Sequence, residues 1–344
     1  MDIRTLAITA RHMLVAAAVV GATAAFATTS VLAQTKLGTP SFPGPSMSAH
    51  PLPIIHANKL DEKNGWKHEW NVRTSAAAYL NDFYTNVYGG LHVSGVNYIA
   101  KNYNKGTPIR IIGASMIFPY PVMVREGGGI NSIADLRGKT MGVPKGSYIY
   151  AYLNAVLKHH GIDPEKDVKL ENVPIIQALQ LFDRGDYDAV LVSPSPAVKL
   201  VNEAPGKYKV LFFPDDELAK ILGVKNMHLI FVAHKDWLEA NPGMAPKLLA
   251  TMNDVQSYID NNPAQAQEIL SPKTKITSGM GSGGASMSPL MFEKMYRDGF
   301  FGRKIRWLGI PVSDVKEQLK QEFQLYKDVG MIDKIPDDGI FWSE

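Results

Sequence analysis

The chain of 344 residues carries 36 Lys and Arg against 33 Asp and Glu, a net charge of +3, and contains no cysteine. Its 45% hydrophobic and 20% charged residues are those of a globular protein, which excludes disordered, collagen-like and disulfide-stapled chains. The absence of cysteine excludes thiolate metal sites, iron–sulfur clusters and cysteine nucleophiles. The nearly balanced charge gives no basic footprint, so we expect no nucleic-acid partner.

Residues 1–33 have the pattern of a cleavable secretory signal. Arg4 and Arg11 supply a positive start, residues 13–27 an apolar stretch, and Val31-Leu32-Ala33 a small-residue cleavage site. A membrane anchor is the alternative, but the stretch is rich in Ala, Gly and Thr and is shorter than the roughly 18 strongly apolar residues of a spanning helix. Without a cysteine for lipid attachment, we expect a free protein in a periplasm-like space, with 34 basic and 32 acidic residues after cleavage.

Beyond the signal, short β-rich runs alternate with helical patterns, which is typical of an α/β protein built on parallel sheets. Strands are predicted at 66–72, 91–93, 109–116, 121–125, 141–144, 168–173, 189–192, 208–213 and 229–234. Helices are predicted at 54–63, 75–84, 148–160, 175–183, 246–259, 263–270, 289–297 and 312–329, and the pattern after Lys235 is mostly helical. Ser147 directly precedes one of these helices, so we expect its hydroxyl to cap that helix.

The strands and helices between residues 119 and 223 form a self-contained run, bracketed by the apolar strands at 109–116 and 229–234. This is the pattern of a lobe inserted into another, with the two strands as hinge crossings. The predicted organisation is a signal at 1–33, lobe 1 at 34–118 plus 224–344, and lobe 2 at 119–223. A single doubly wound domain stays open as an alternative.

The stretch from Ser132 to Ser147, SIADLRGKTMGVPKGS, resembles the s-x-x-D-L-(K/R)-G-K-x-(V/I)-(A/G)-V-x-K-G-S signature of periplasmic solute-binding proteins of ABC importers. Three further stretches are similar to motifs of this group, in the same order along the chain: 51–54, 185–190 and 326–342. Within the group, the chain looks like the nitrate, taurine and aliphatic-sulfonate binding proteins, to which the thiamine-pyrimidine-synthase-like proteins also belong.

The resemblance implies a two-lobed α/β fold of the periplasmic-binding-protein type II, with the ligand cleft between the lobes. It implies a monomer that binds a small anion such as a sulfonate, nitrate or an aromatic carboxylate, and that serves an ABC permease in the inner membrane. It implies no catalysis, no cofactor and no metal. Strand ends and helix N-termini at such a cleft can hold an anion without a formal cation.

The candidate ligand contacts of lobe 1 lie beside predicted strand ends or helix starts: Ser46, Ser48, His50, Ser94, Gly95, Asn97, Asn226 and His228. The first three belong to a Pro/Ser loop, for which a solvated turn is an equal alternative. The acidic residue that the family often has near Ser94 is missing, so the location is firmer than the chemistry. His92, inside the strand, is expected to be structural.

The candidates of lobe 2 are Gly146, Ser147, Tyr148, Ser193 and Ser195. Backbone N–H groups at the first three can cradle an oxyanion while the tyrosine ring packs on an organic body. The run Ser-Pro-Ser-Pro from 193 stands where sulfonate-binding relatives often have W-x-P, which argues against an aliphatic sulfonate. The aromatic residues near the predicted cleft suit an aromatic carboxylate equally well: Phe118, Tyr120, Tyr148 and Tyr150.

Other functions receive less support from the motifs. The Gly/Ser tract at 278–288 lacks the Gly-Lys-Ser/Thr ending of a phosphate loop, and no H-E-x-x-H or G-x-S-x-G motif occurs. Two alternatives stay open. One is an enzyme on the same fold related to the pyrimidine synthases, which rely on a cysteine-rich segment that this chain lacks; the other is a periplasmic sensor subunit for a membrane kinase.

Overall fold

The computed structural model of the chain describes residues 35–41, 50–72, 81, 83–86, 92–145, 147–271 and 287–343. The predicted signal, most of the predicted helix at 75–84 and the Gly/Ser tract up to residue 286 lie outside the described residues. Residues 35–344 form one compact unit.

The described residues form strands and helices in alternation. The strands are β1 (Thr35–Ser41), β2 (Trp66–Val72), β3 (His92–Ser94), β4 (Ile109–Ile117), β5 (Val122–Arg125), β6 (Thr140–Val143), β7 (Lys169–Asn172), β8 (Ala189–Leu191), β9 (Tyr208–Phe212), β10 (Leu229–His234) and β11 (Arg306–Pro311). The helices are α1 (Pro51–Asn58), α2 (Leu60–Lys63), α3 (Val96–Asn104), α4 (Tyr148–His159), α5 (Ile175–Arg184), α6 (Pro194–Glu203), α7 (Pro214–Leu222), α8 (Lys235–Ala240), α9 (Met244–Asn261), α10 (Pro263–Ile269), α11 (Pro289–Phe292) and α12 (Val312–Asp328). A π-helix, Glu293–Arg297, follows α11, and short 3-10 turns lie at Ile133–Leu136 and Asp338–Ile340.

A four-stranded sheet has the order β11-β4-β10-β3, and each strand is antiparallel to its neighbours. Its central strands β4 and β10 carry the chain to and from the second sheet, and they pair directly, with His234 opposite Ile109. Both strands are buried along nearly their whole length. The hydrophobic core has two clusters, and β4 contributes Ile112 to one cluster and Ile111 to the other. The two predicted crossings therefore lie side by side.

A five-stranded sheet has the order β7-β6-β8-β5-β9 and is built only from strands between Val122 and Phe212. In this sheet β6 is parallel to β7 and β8, whereas β5 is antiparallel to β8 and β9. Strands β1 and β2 form a separate parallel pair. The division into two sheets agrees with an inserted second lobe, although the predicted lobe boundaries at 119 and 223 stay predictions.

Three expectations from the sequence are corrected by the structure. The four-stranded sheet is antiparallel and the five-stranded sheet is mixed, rather than both parallel, because the chain passes between the two sheets along neighbouring antiparallel strands. The predicted strand at 229–234 is not the last one in the mostly helical remainder of the chain, since β11 pairs with β4 through a close approach at Gly113. The first predicted helix breaks into α1 and α2 at Lys59, whose φ of 50° is left-handed.

Within the residues that the structure describes, we find no helix of the length and apolar character needed to cross a membrane.

Candidate functional site

The ends of strands from both sheets lie where the chain crosses from one sheet to the other. In the four-stranded sheet, Ser94 at the end of β3 lies opposite the beginning of β10. In the five-stranded sheet, Val122 at the start of β5 lies opposite Leu191 at the end of β8 and Phe212 at the end of β9. Since only residues 118–121 separate β4 from β5, these strand ends face the crossing. This is the edge at which α/β proteins bind ligands.

Three helices, α3, α4 and α6, begin at this edge. The residues before α3, α4 and α6 are Gly95, Ser147 and Ser193, and none makes a side-chain cap hydrogen bond. The predicted capping role of Ser147 is wrong: its hydroxyl accepts no hydrogen bond from the first turn of α4, and it donates to the carbonyl oxygen of Pro144 at 2.7 Å. The first turns of α3 and α4 therefore keep N–H donors and positive dipole ends that can bind an anion, whereas Pro194 and Pro196 supply no N–H in the first turn of α6.

The start of α3 touches the start of α4. A Cβ placed on Gly95 would lie 2.2 Å from the Cβ of Tyr148 and 3.0 Å from the Oδ1 of Asn97. The φ of Gly95 is −77°, which any residue adopts, so the glycine is required for space and not for backbone conformation. Helix α3 follows a strand of the four-stranded sheet, and α4 follows a strand of the five-stranded sheet. We call each of these sheets, with the helices attached to its strands, a half of the protein. The contact between α3 and α4 therefore joins the two halves.

A row of aromatic rings runs from the crossing into α4. Ring centroids lie 5.0 Å apart for Phe118 and Tyr120, 5.8 Å for Tyr120 and Tyr148, and 5.8 Å for Tyr148 and Tyr152. Burial raises the pKa of Tyr120 and of Tyr148, so both hydroxyls are neutral near pH 7. Tyr150, also predicted to lie near the cleft, is two positions along α4 and so faces another side of the helix.

Several buried polar atoms around this contact have no hydrogen-bond partner among the described residues: Asn97 Oδ1, Tyr148 Oη, Asp215 Oδ1 and His228 Nδ1. The side chains are close to one another, since the charge of Asp215 acts on Tyr148 and the backbone oxygen of His228 accepts from Tyr152 at 3.4 Å. Burial lowers the pKa of His228 to about 4, so its imidazole is neutral at pH 7. Buried polar groups are normally paired, so these atoms are suited to a bound ligand.

His50 lies at the start of α1 and is only 4% exposed. Its Nδ1 is 2.9 Å from the hydroxyl of Tyr296, and that hydroxyl accepts from the Nε1 of Trp307 at 3.2 Å. Burial lowers the pKa of His50 to about 3, so the ring is neutral. Tyr296 belongs to the π-helix, which packs on α6 of the other half. This places His50 on the side of its half that meets α6.

The remaining candidates from the sequence have different outcomes. Ser46, Ser48 and Gly146 lie outside the described residues. Ser195 is half-buried in the first turn of α6, and Asn226 offers its backbone oxygen to Gln318 at 3.0 Å. The structure thus brings together one group of the predicted residues around the meeting point of α3 and α4: Ser94, Gly95, Asn97, Ser147, Tyr148 and His228.

Sequence reasoning missed Asp215, which is 4% exposed at the start of α7. Its Oδ2 accepts from the Nη2 of Arg303 at 2.7 Å. Burial raises the pKa of Asp215 to about 6, and the guanidinium opposes that rise. The signal was present, because Pro214-Asp215-Asp216 after a predicted strand is a helix start pattern.

Sequence reasoning also missed a buried carboxyl that joins helices of the two halves. Glu322 on α12 is fully buried, and its Oε1 accepts from the hydroxyl of Tyr326 at 2.5 Å. Tyr152 on α4 is close enough to interact electrostatically with this carboxyl, and its own hydroxyl donates to the backbone oxygen of His228 at 3.4 Å. Burial raises the pKa of Glu322 to about 8, so the carboxyl is protonated and neutral at pH 7.

A cavity of about 810 Å³ lies away from this edge, between α9, the end of β11 and residues 341–343. None of the predicted site residues lines it. Its one lysine, Lys316, pairs with Asp338 at 2.8 Å and lies over the ring of Phe341. Among the described residues, no group of three or more His, Asp or Glu side chains could hold a metal ion.

Comparison with known proteins gives a family and a set of relatives. A family model described as NMT1/THI5 like matches residues 90–266, just over half of the 344 residues. A binding protein of Brucella abortus is 25% identical over 182 residues, which are 50% of this chain and 53% of the relative. The chain thus spans about half the length of the curated relatives it matches.

Solved structures give the fold. The periplasmic aliphatic sulphonate binding protein SsuA from Escherichia coli has a TM-score of 0.69 at 16% identity, with 90% of this chain and 92% of SsuA covered. The desulfurization enzyme DSZB has a TM-score of 0.57 at 12% identity, with 90% and 97% covered. These likenesses confirm the two-lobed α/β fold predicted from the sequence.

Glu322→Gln should change the pH dependence of stability. The folded pKa of about 8 lies above the ordinary 4.5, so the wild type loses stability as pH rises between these values, whereas the amide does not. We expect the variant to gain up to about 1.4 kcal/mol relative to wild type for each pH unit in this window. Urea unfolding between pH 5 and 8 measures the difference.

Glu317→Gln on the same helix is the control, because the Glu317 side chain is 83% exposed. Its difference from wild type should stay constant across the window. A constant difference for Glu322→Gln as well would contradict a neutral buried carboxyl at position 322.

Proposed function

The chain belongs to the NMT1/THI5-like family, and on this premise we propose that it is the solute-binding component of an ABC uptake transporter. The membership confirms the group that the sequence motifs resembled. In the proposed function, the protein binds a small anion between its two halves and presents it to a permease. Closure follows from a population shift, because the ligand contacts both halves only when they are together.

The observation that carries the proposal is the meeting of uncapped helix starts from the two halves at Gly95 and Tyr148. An anion between them accepts hydrogen bonds from backbone N–H groups of both helices, and the positive ends of the two helix dipoles stabilise its charge. Tyr148 and His228 add neutral donors, with an unpartnered buried atom on each side chain among the described residues. No unpaired lysine or arginine is required for such a site.

The ligand class follows from the donors and the rings. We propose a sulfonate, nitrate or an aromatic carboxylate, since each presents oxygen atoms to N–H groups. The E. coli relative in fold is named for aliphatic sulphonate binding, which supports a sulfonate. The row of rings from Phe118 to Tyr152 favours an organic body beside the charged group.

Location, partner and oligomeric state complete the proposal. We propose export through the signal at 1–33 to the periplasm, without lipid attachment, and docking on an inner-membrane ABC permease as a monomer. The name of the E. coli relative in fold includes the word periplasmic, which supports the location. Binding without catalysis and without a cofactor is part of the proposal, and incubation of the pure protein with its ligand should yield no product.

A thermal-shift screen of residues 34–344 tests the ligand class. Ethanesulfonate, nitrate and benzoate are the probes, and benzamide is the neutral match of benzoate. An anion present at 100 times its Kd adds about 2.7 kcal/mol to the free energy of unfolding and raises Tm by several degrees. At least one probe anion should do so, and benzamide should not.

Stabilisation by benzamide and by none of the anions would contradict the proposal that the ligand is an anion. Stabilisation by none of the probes would contradict the binding role for this ligand class, and formation of a product would contradict the non-catalytic role.

Gly95→Ala should separate binding from stability. Its methyl group would lie 2.2 Å from the Cβ of Tyr148, and the two halves can relieve that clash by staying apart. We expect the Kd for the bound anion to rise at least about tenfold. The free energy of unfolding should change by less than about 1 kcal/mol, because the φ of Gly95, −77°, is one that alanine adopts without strain. Calorimetric titration and urea unfolding measure the two quantities.

Gly128→Ala is the matched control, because Gly128 is exposed and its nearest contact lies within its own turn. It should bind the anion as the wild type does. Tight binding by Gly95→Ala would show that the ligand site does not need the contact between α3 and α4.

A further inference from the structure

An ion pair joins the two halves at a second place, beside the proposed ligand site. The Nη2 of Arg303 donates to the Oδ2 of Asp215 at 2.7 Å, and its Nη1 pairs with the Oδ1 of Asp216. The guanidinium also lies over the ring of Phe213, 5.7 Å from its centroid. Arg303 precedes β11 of the four-stranded sheet, whereas its three partners follow β9 of the five-stranded sheet.

The backbone that carries Arg303 is held in a tight turn. Phe300 and Arg303 exchange two backbone hydrogen bonds, of 2.9 and 3.0 Å. The residues between them, Phe301 and Gly302, have φ values of 49° and 77°, as in a type I′ turn. A left-handed Phe is uncommon, and this one is 52% exposed, so its conformation is not a consequence of burying the ring. The turn fixes the direction of the arginine.

Because this ion pair is largely buried, the charge of each residue needs the other residue close to it. The side chain of Asp215 is 4% exposed and that of Arg303 is 23% exposed. Separating the halves would return the arginine to water and would leave Asp215 without its counter-charge, so the pair favours the closed arrangement. Asp215 also lies near the ligand site, because α7 packs on α4, the helix of Tyr148 and Tyr152.

We propose that Arg303 is a positioning residue for ligand binding, which holds the start of α7 against the other half when the protein is closed. The inference rests on the proposed function and adds a residue to it. Arg303 acts through Asp215 and Asp216, and the ligand is held by the helix starts. We call the pairing of Arg303 with these two aspartates the clasp. Loss of the clasp allows the halves to open more often, so it accelerates ligand release more than it slows association.

Arg303→Met removes the charge and keeps most of the stem. For the probe among ethanesulfonate, nitrate and benzoate that gives the largest thermal shift, we expect the Kd to rise about tenfold. Stopped-flow measurements should place most of this rise in the dissociation rate, with the association rate within about threefold of wild type. Arg303→Lys retains the charge without the forked geometry, so it should recover part of the affinity.

Arg306→Met is the matched control, because Arg306 pairs with Asp260 at 2.7 and 2.8 Å and both belong to the same half. It breaks an Arg–Asp pair without touching the contact between halves. It should leave the Kd and the dissociation rate within about twofold of wild type. Equal losses in Arg303→Met and Arg306→Met, or wild-type kinetics in Arg303→Met, would overturn the proposal.

A ligand-free readout distinguishes failure of this inference from failure of the proposed function. The chain has no cysteine, so Lys101→Cys and Lys199→Cys place spin labels only at two exposed positions, on α3 and α6. Measurement of the distance between the two spin labels by pulsed electron paramagnetic resonance should show that fewer molecules have the short distance of the closed arrangement in Arg303→Met than in wild type. If no probe binds the wild type, the proposed function fails while this population still tests the clasp. Identical distributions would overturn the clasp.

Discussion

The antiparallel pairing of β4 with β10 is the constraint on which the rest of the structure depends. Both strands carry the chain between the two sheets, and their pairing, with His234 opposite Ile109, fixes where the crossings lie. That position decides which strand ends face the other half. As a result, the helices after β3, β6 and β8 all begin at the same place, and the contact of Gly95 with Tyr148 follows from it. A ligand bound at this place can contact both halves at once.

The electrostatics of the site are those of neutral donors in a buried environment. Desolvation keeps His228 and Tyr148 uncharged at pH 7, and the helix starts supply partial positive charge. The two acidic groups nearby do not add a net negative charge that would repel an anion. Glu322 is protonated, with a pKa raised to about 8, and the charge of Asp215 is balanced by Arg303 across the halves. The same burial that prepares the site for a ligand therefore makes the interhalf ion pair effective.

The sequence predicted those features that local pattern determines, and it failed where a long-range partner decides. The apolar runs of β4 and β10 and the amphipathic α4 were predicted nearly to their bounds, and the motif resemblance gave the fold. Strand β11 was missed because Gly309 and Pro311 weaken its strand pattern and its pairing partner lies almost 200 residues earlier in the chain. Ser147 is a residue type that commonly caps helices, yet its hydroxyl donates a hydrogen bond to the nearby carbonyl oxygen of Pro144 instead. The pairing of Asp215 with Arg303 depends on the docked halves, which no spacing in the sequence reveals.

The most direct test of the account is a crystal structure of residues 34–344 with the anion that stabilises them most. We expect anion oxygens within about 3.2 Å of backbone nitrogens in the first turns of both α3 and α4, beside the hydroxyl of Tyr148. An anion held by one half alone, or bound in the 810 Å³ cavity between α9 and β11, would contradict it.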